Sequence, residues 1–538
     1  MELNLADLFE SVVDQVGAET AMVAGVRRLS YLELDRRANR LAHYLEGVGI
    51  GPGDRIGIQL VNGTEYIEAM LACFKVRAVP INVNYRYMSG ELRHVYRDAA
   101  LAGLVFHTRF TGAVTGALDA MPDTRALLEV LDGSEPSGSA RDYEAALESA
   151  PDTRGFAPRR SDDLYCVYTG GTTGLPKGVL WRHDDIFFAA MGGGDPLSLG
   201  NHIATPDELS ERILRPGMTA LAIPPFIHAA GHWLAFSTLF GGGKIVTLPN
   251  GIFDPSEVWQ LVEAESVNVI TVVGDAMARP LVDVLAAEPD RYDLSSLMAV
   301  GSGGALLSPS TKAQLTRLLP GRLVADRFGA SETGQVGGEA PPGDPFGPPQ
   351  LHVDELTDVF DDDLHPVRPG SGAIGRLARG GHVPIGYLGD AATSAATFVE
   401  LGGQRWALPG DLASVLSDGT IIVLGRGSLC INTGGEKVFP DEVEAALKGH
   451  ADIRDAIVVG MPDNRYGERV VALVQAKPGC RIDTEALRRY AHSQLTGYKV
   501  PRVVMVVDEI LRSPTGKPDY PWARSIAESA GAGDGRKS

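Results

Sequence analysis

Short apolar runs recur along this chain, and helical stretches separate them. The runs at 55–60, 78–83, 102–106, 164–167, 219–224, 267–273, 298–300 and 322–326 all have strand length. Segments 5–16 and 65–74 instead carry apolar residues at helical spacing. Parallel strands need crossover connections, and strands apolar on both faces need helices on both sides. The pattern restricts this part of the chain to an α/β fold with parallel-rich sheets. Local signals agree with it. Ser30 precedes Glu33 by three residues, the spacing of a capping box, so a helix should run on through Leu45. Gly51-Pro52-Gly53-Asp54 reads as a turn. Segment 123–160 is less periodic, with a surface loop expected at 133–140.

Composition narrows the function. A hydrophobic content of 44% is ample for a core, and 22% charged residues is ordinary for a soluble chain. A net charge of -19 over 538 residues argues against a general nucleic-acid partner, because a phosphate backbone would be repelled. The four cysteines, Cys73, Cys166, Cys430 and Cys480, are too dispersed to suggest a metal pair, and a reduced, cytoplasmic setting is expected. Neither a signal peptide, a peroxisomal address nor a membrane-spanning run is expected.

The most distinctive chemistry lies at Tyr168-Thr169-Gly170-Gly171-Thr172-Thr173-Gly174-Leu175-Pro176-Lys177-Gly178-Val179, directly after the apolar run 164–167. Glycines let backbone N–H groups close on an anion, threonine hydroxyls add donors, and Lys177 adds positive charge. Such a stretch suits a polyphosphate. It is not the common nucleotide P-loop, because Pro176 rather than Gly precedes the lysine and Gly178 follows it.

This stretch resembles the phosphate loop of the acyl-adenylate-forming enzymes, and further motifs follow in that family's order. They are Gly303-Gly304-Ala305, Asp326-Arg327-Phe328-Gly329-Ala330-Ser331-Glu332, Pro409-Gly410-Asp411, Gly425-Arg426, Gly434-Gly435-Glu436-Lys437 and Pro514-Thr515-Gly516-Lys517. Trp181-Arg182-His183 and Cys430-Ile431-Asn432-Thr433-Gly434-Gly435-Glu436-Lys437 look most like the actinobacterial acyl-CoA synthetases that activate steroid side chains and related bulky acids. The resemblance implies a large N-terminal adenylation domain over 1–426, a hinge at 427–430, a mobile α+β domain over 431–524 and a flexible tail over 525–538.

It also implies roles. Thr169, Gly170, Gly171, Thr172, Thr173, Gly174 and Lys177 would hold the ATP phosphates. Gly303, Gly304 and Ala305 would line the adenine, with Asp326, Arg327, Phe328, Gly329 and Ser331 around the nucleotide. Glu332 would hold Mg²⁺, an ion that favours carboxylate and phosphate oxygens. Asp411 would accept the ribose hydroxyls, with Arg426 in support. Lys517 would neutralise charge developing between carboxylate and α-phosphate. Gly434 and Gly435 would let the pantetheine of CoA pass close to the backbone.

Pro225-Phe226-Ile227-His228-Ala229-Ala230-Gly231-His232-Trp233 resembles the family's acyl-pocket segment, with Phe226, His228 and Trp233 as its lining. His228 has a substrate role or a structural one, and Trp233 gates the pocket or packs in the core. The stretch 192–216 is a lid, an insertion or a solvated loop. Six positions depart from the family pattern: Phe328 replaces Tyr, Ser331 replaces Thr, Arg376 follows Gly375 where Glu is usual, Pro409 replaces Thr, Leu429 stands where the hinge residue is commonly Asp or Lys, and Asn432 stands where Lys is often found.

The expected function is an ATP-dependent acyl-CoA ligase. It would activate a bulky apolar carboxylic acid of steroid side-chain type through an acyl-AMP and then pass the acyl group to CoA. A medium- or long-chain fatty acid is the next substrate. A luciferase-like oxygenase and a silent nucleotide-binding protein are the readings from other classes. The expected partners are small molecules; a homo-oligomer is compatible with the sequence, which does not fix the oligomeric state.

Overall fold

The structure of the chain, a computed structural model, describes residues 2–169, 175–195, 201–248, 251–305, 307–339, 350–433, 436–463, 465–512 and 517–534. Strands Thr20–Ala24, Lys244–Thr247, Thr219–Ala222, Val269–Val272, Ala299–Gly303 and Leu323–Ala330 lie side by side, all parallel. The sheet then continues through antiparallel strands Gly334–Glu339, Gln350–Val353, Ile421–Arg426 and Asp411–Val415. A second sheet holds Leu164–Thr169, Val79–Asn82, Arg55–Gln59, Gly103–His107 and Ala126–Val130 in parallel, with Lys177–Arg182 antiparallel to the first of these.

Helices Leu5–Val16, Tyr31–Gly47, Thr64–Lys75 and Ala229–Phe240 fill the space between these sheets in one continuous core. The capping box forms as its spacing requires: Ser30 Oγ accepts the Glu33 N–H, and Glu33 accepts the Ser30 N–H at 2.8 Å. Helix Thr64–Lys75 is so enclosed that even Lys75 is buried, and its ammonium is held by Glu10 at 2.5 Å and Asp35 at 2.7 Å. A buried charge without such partners would be prohibitively costly.

On the far face of the first sheet, helices Pro255–Ala264, Gly274–Ala287 and Pro309–Leu318 pack over Leu221, Ile270, Val272, Val300 and Val324. Because side chains alternate along a strand, the intervening residues point the other way. That alternation creates the cavity described below.

After Arg426 a 3-10 turn, Gly427–Leu429, leads into a separate sheet of Ile431–Thr433, Glu436–Val438, Ile453–Asp463, Gly467–Ala476 and Val503–Val507. It is covered by helices Pro440–Lys448, Thr484–Gln494 and Tyr520–Asp534, with a core of its own. Leu429 packs against that small-lobe core. The stretch expected as a flexible tail, 525–538, is helical through Asp534 instead. Tyr520, Ala523 and Ala527 recur at helical spacing and are buried on the small sheet, so the Gly- and Ser-rich composition does not keep the segment free.

Candidate active site

Two asparagines organise the mouth of the large lobe. Asn82, at the carboxyl end of its strand, donates to Tyr168 O at 2.9 Å and to Ile227 O at 2.6 Å, and accepts the Tyr168 N–H at 2.7 Å. Asn62 donates to Pro224 O at 3.0 Å and accepts the Phe226 N–H at 2.6 Å. The strand leading into the Gly/Thr loop and the segment leading into helix Ala229–Phe240 are thus held by the same small set of amides. Trp181, fully buried, donates its indole N–H to Ser331 O at 3.0 Å and so fixes the turn that carries Glu332.

These elements surround a cavity of about 2040 Å³ that reaches from the large lobe to the small one. Single-ligand pockets are commonly about 300–1,000 Å³, so this volume suits several ligands meeting in one place. Thr169, Lys177, Gly303, Gly304, Ala305, Asp326, Arg327, Phe328, Gly329, Ser331, Glu332, Asp411, Arg426 and Lys517 all line it. Residues far apart in sequence are therefore brought together around one cavity. Gly170, Gly171, Thr172, Thr173, Gly174, Gly434 and Gly435 lie outside the described residues. The strands flanking the last two, Ile431–Thr433 and Glu436–Val438, do not contribute to the cavity wall in this arrangement.

Asp411 is buried and pairs with Arg426 directly across two antiparallel strands, with Nε 3.2 Å from Oδ1. Glu332 is buried and accepts a hydrogen bond from the Tyr387 hydroxyl at 3.0 Å. Tyr387 was not read from the sequence. Its strand, Gly386–Tyr387, is too short to show periodicity, and it joins the site by pairing with Lys177–Arg182 more than two hundred residues earlier. Lys177 donates to Asp390 at 2.8 Å and to Thr393 Oγ1 at 3.0 Å, and its ammonium lies 5.6 Å from the Tyr387 ring centre. Lys177 holds the Asp390 carboxyl well below the usual carboxylate range.

Lys517 reaches the cavity from the small lobe and is open to its solvent. The walls nevertheless enclose its ammonium. That enclosure, followed by the charge of Arg426, lowers its pKa, while the carboxylates of Glu332 and Asp411 oppose the shift. His228 stands at the N-cap position of helix Ala229–Phe240, where its side chain makes no capping hydrogen bond. Its pKa is lowered to about 3, chiefly by burial and then by the charges of Lys517 and Arg86. It is therefore neutral at physiological pH. Its buried Nε2 has no hydrogen-bond partner among the described residues, while the ring lines the cavity. A neutral imidazole with an unsatisfied nitrogen beside Lys517 fits a group that meets the substrate.

Phe226 does not line the cavity. It is fully buried behind it, packed on Tyr66 at 5.5 Å between ring centres, because Asn62 draws its backbone inward. Trp233 does line the cavity, but its indole N–H is held by the Tyr165 hydroxyl at 3.0 Å. That hydroxyl also meets His232 Nε2, and His232 Nδ1 is 2.8 Å from Phe226 O. Trp233 is thus a fixed wall rather than a swinging gate.

The deep part of the cavity is a slot. One wall is a face of helix Ala229–Phe240 presenting Ala229, Ala230, Trp233, Leu234, Ser237 and Thr238. The other is the sheet, where register places Ala220, Val269, Ala299 and Leu323 in one row and Thr271, Gly301 and Ala325 in the next. Small side chains on neighbouring parallel strands make that wall nearly flat. The helix has 12 residues, so the slot is about 18 Å long at 1.5 Å per residue. Its far end is open: Met298 and Leu323 are 57% and 61% exposed. Of the stretch 192–216, Ile203 and Leu209 are buried in the core, and Gly192, Asp195 and Leu214 line the cavity. Its described part is thus anchored to the core and the cavity wall at these points, with exposed residues such as Asn201, Thr205, Asp207 and Glu211 between them.

Residues 9–388 match the family model of the AMP-binding enzymes, and 442–517 match that of the AMP-binding enzyme C-terminal domain. The chain is 46% identical to a 3-oxocholest-4-en-26-oate–CoA ligase of Rhodococcus rhodochrous, covering 97% of this chain and 96% of that one. It is 40% identical to the medium-chain acyl-CoA ligase Mig of Mycobacterium avium, covering 94% and 95%. A Mycolicibacterium smegmatis protein named for both medium/long-chain fatty acids and 3-oxocholest-4-en-26-oate is 44% identical, covering 98% and 97%. Two solved structures share the fold. One is the anthranilate CoA ligase AuaEII with anthranoyl-AMP, at TM-score 0.84 and 22% identity, covering 98% of each chain. The other is ATP-bound MatB from Rhodopseudomonas palustris, at TM-score 0.82 and 24% identity, covering 97% of this chain and 99% of that one.

Proposed function

The chain belongs to the AMP-binding enzyme family, and on that premise we propose that it is an AMP-forming acyl-CoA ligase for a bulky, apolar carboxylic acid of steroid side-chain type. The observation that carries the substrate class is the slot. A long, flat-walled space lined by Ala220, Ala299, Gly301 and Ala325 accepts a rigid fused-ring body edge to edge, and apolar burial supplies the binding energy. The relatives named for 3-oxocholest-4-en-26-oate support the same reading.

In the first step a carboxylate oxygen attacks the α-phosphorus of ATP, and pyrophosphate leaves as the bond between the α-phosphorus and its bridging oxygen breaks. Thr169 and Lys177, with the Gly/Thr loop between them, would hold the β- and γ-phosphates. Lys177 would exchange Asp390 for phosphate. Asp411 would accept the ribose hydroxyls, and Arg426 holds Asp411 in place. Lys517 would neutralise charge growing between the carboxylate and the α-phosphate. His228 would hydrogen-bond the acid's carboxylate.

Glu332 fits a Mg²⁺ carried with the nucleotide: its carboxylate is buried at the cavity wall and oriented by Tyr387, and Mg²⁺ in nucleotide sites takes one or two carboxylates plus phosphate oxygens. Such an ion would neutralise phosphate charge. In the second step the thiolate of CoA attacks the acyl carbon, and AMP leaves as the bond from that carbon to the phosphate oxygen breaks. The small lobe would rotate about 427–430 between the steps, withdrawing Lys517 and bringing 434–435 to the site.

The open far end of the slot, with Met298 and Leu323 exposed, favours a second substrate class: a medium- or long-chain fatty acid can run through it and project beyond. Pyrophosphate release measured over steroid side-chain acids and fatty acids of graded length, with and without CoA, tests the proposal. Turnover should be greatest with the steroid acids and should yield AMP and thioester only with CoA. Preference for short acids, or oxygen-dependent consumption of the adenylate without CoA, would overturn it.

A further inference from the structure

Lys517 stands on a segment of the small lobe, so something must register that lobe against the large one before Lys517 can serve the site. One contact between the lobes joins buried, oppositely charged groups. Lys448 is the last residue of helix Pro440–Lys448 and is buried, as is Asp275 in the first turn of helix Gly274–Ala287 of the large lobe. The Lys448 ammonium is 3.8 Å from Asp275 Oδ2. Asp275 Oδ1 accepts hydrogen bonds from the Ser308 N–H at 2.9 Å and its hydroxyl at 3.0 Å, so the carboxylate is fixed within the large lobe. Oδ2 is buried with no hydrogen-bond partner among the described residues. Burying a carboxylate oxygen is costly unless a charge faces it, and here the facing charge belongs to the other lobe.

The contact leads directly to Lys517. Lys448 also lies 3.6 Å from Asp455 Oδ1 within the small lobe. Asp455 accepts a two-pronged pair from Arg512, at 2.6 Å from Nε and 2.7 Å from Nη2. Arg512 in turn forms an antiparallel bridge with Pro518, the residue after Lys517. A chain of close contacts thus runs from the large-lobe carboxylate to the base of the lysine.

From this geometry we infer that Asp275 and Lys448 form an inter-lobe latch that holds Lys517 at the nucleotide during adenylation and must open before thioester formation. Both are positioning residues, acting through Asp455 and Arg512. The inference rests on the ligase reading above. When the small lobe rotates, Lys448 keeps Asp455 and Arg512 but leaves Asp275 behind, whose freed oxygen then gains water. The latch therefore favours only the first of the two arrangements, as any device that shifts a two-state equilibrium must.

The test is Asp275→Asn, which keeps an oxygen for Ser308 but removes the charge, beside Lys448→Met, which keeps length and burial. Adenylation is read as acid-dependent pyrophosphate release, and thioester formation is read separately from supplied acyl-AMP and CoA. Both variants should lose at least about five-fold in kcat for adenylation, the lower end of typical coupling between states. KM for the acid should change little, and the thioester step should be unchanged or faster. Equal loss in both half-reactions, or loss in neither, would overturn the latch. Backbone hydrogen exchange of Asp275→Asn provides a readout that needs no turnover. Amides around 275–277 and 446–450 should exchange faster, with the rest of the small lobe unchanged; unaltered protection there would also overturn it. A wild-type chain that releases no pyrophosphate with any acid would refute the ligase reading, not the latch, which the exchange measurement still decides.

Discussion

Gly301 offers a direct test of the slot. A Cβ built there meets nothing closer than Thr271 Oγ1 at 3.7 Å and Ile270 O at 3.8 Å, ordinary van der Waals distances. The protein itself therefore tolerates a side chain, which must project into the space assigned to the acid. Valine also favours the strand conformation that Gly301 occupies, so stability should hold or improve slightly. The ligand bears the cost. A valine side chain would displace roughly 60–80 Å² of apolar ring surface, worth about 2 kcal/mol at about 25 cal/mol per Å². That corresponds to a loss of about 30-fold in kcat/KM. Gly301→Ala should cost only a few-fold, and Gly301→Leu more than valine. The assay is kcat/KM for pyrophosphate release with a steroid side-chain acid and, in parallel, with a slender fatty acid that can slide past the added methyls. Selectivity should shift toward the fatty acid in the order Ala, Val, Leu. Equal loss with both acids, or an undiminished rate with the steroid acid, would show that the acid does not lie between the helix and the sheet.

Other outcomes follow from the same geometry. Lys517→Ala should lower adenylation by about 10²–10³-fold, the scale of losing one charge-stabilising donor, while thioester formation from supplied acyl-AMP is spared; half-reaction kinetics separate the two. Trp233→Phe keeps the ring but releases the Tyr165 hydroxyl, so thermal unfolding should show a loss of about 1 kcal/mol and selectivity among bulky acids should broaden. Acid should also destabilise the fold. Burial lowers His107, His183 and His232 to about 4 and His228 to about 3, whereas an unfolded histidine titrates near 6.5. Below about pH 6.5 the unfolded chain binds protons that the folded chain refuses, so stability falls as pH drops toward 4. The Tm should decline steadily between pH 7 and 5, and His107→Asn, which keeps an acceptor for the Val61 N–H, should flatten that slope.

What the sequence reveals of this site is what lies in local motifs. Lys517, Glu332, Asp411 and Arg426 each follow a glycine- or proline-marked turn or a strand end, and such signals survive in one dimension. The parallel sheets were legible for a similar reason, since strand length and apolar character are local properties. Side chains that act across the fold left no such mark. Asn82 bonds Tyr168 and Ile227, 86 and 145 residues away, and Tyr387 reaches Glu332 only through a two-residue strand. Phe226 was misread because its motif places it beside the pocket, while Asn62 turns it into the core. The final helix was missed because glycines and serines dilute the apolar spacing of Tyr520, Ala523 and Ala527.

The Asn82 clasp has a consequence for redesign. One side-chain amide grips the backbone of the nucleotide strand and of the acyl segment together, so the two cannot be exchanged as independent modules. A pocket transplanted from a relative would have to present its own carbonyl where Ile227 does, or the graft would pull the phosphate loop out of alignment with the acid it is meant to activate.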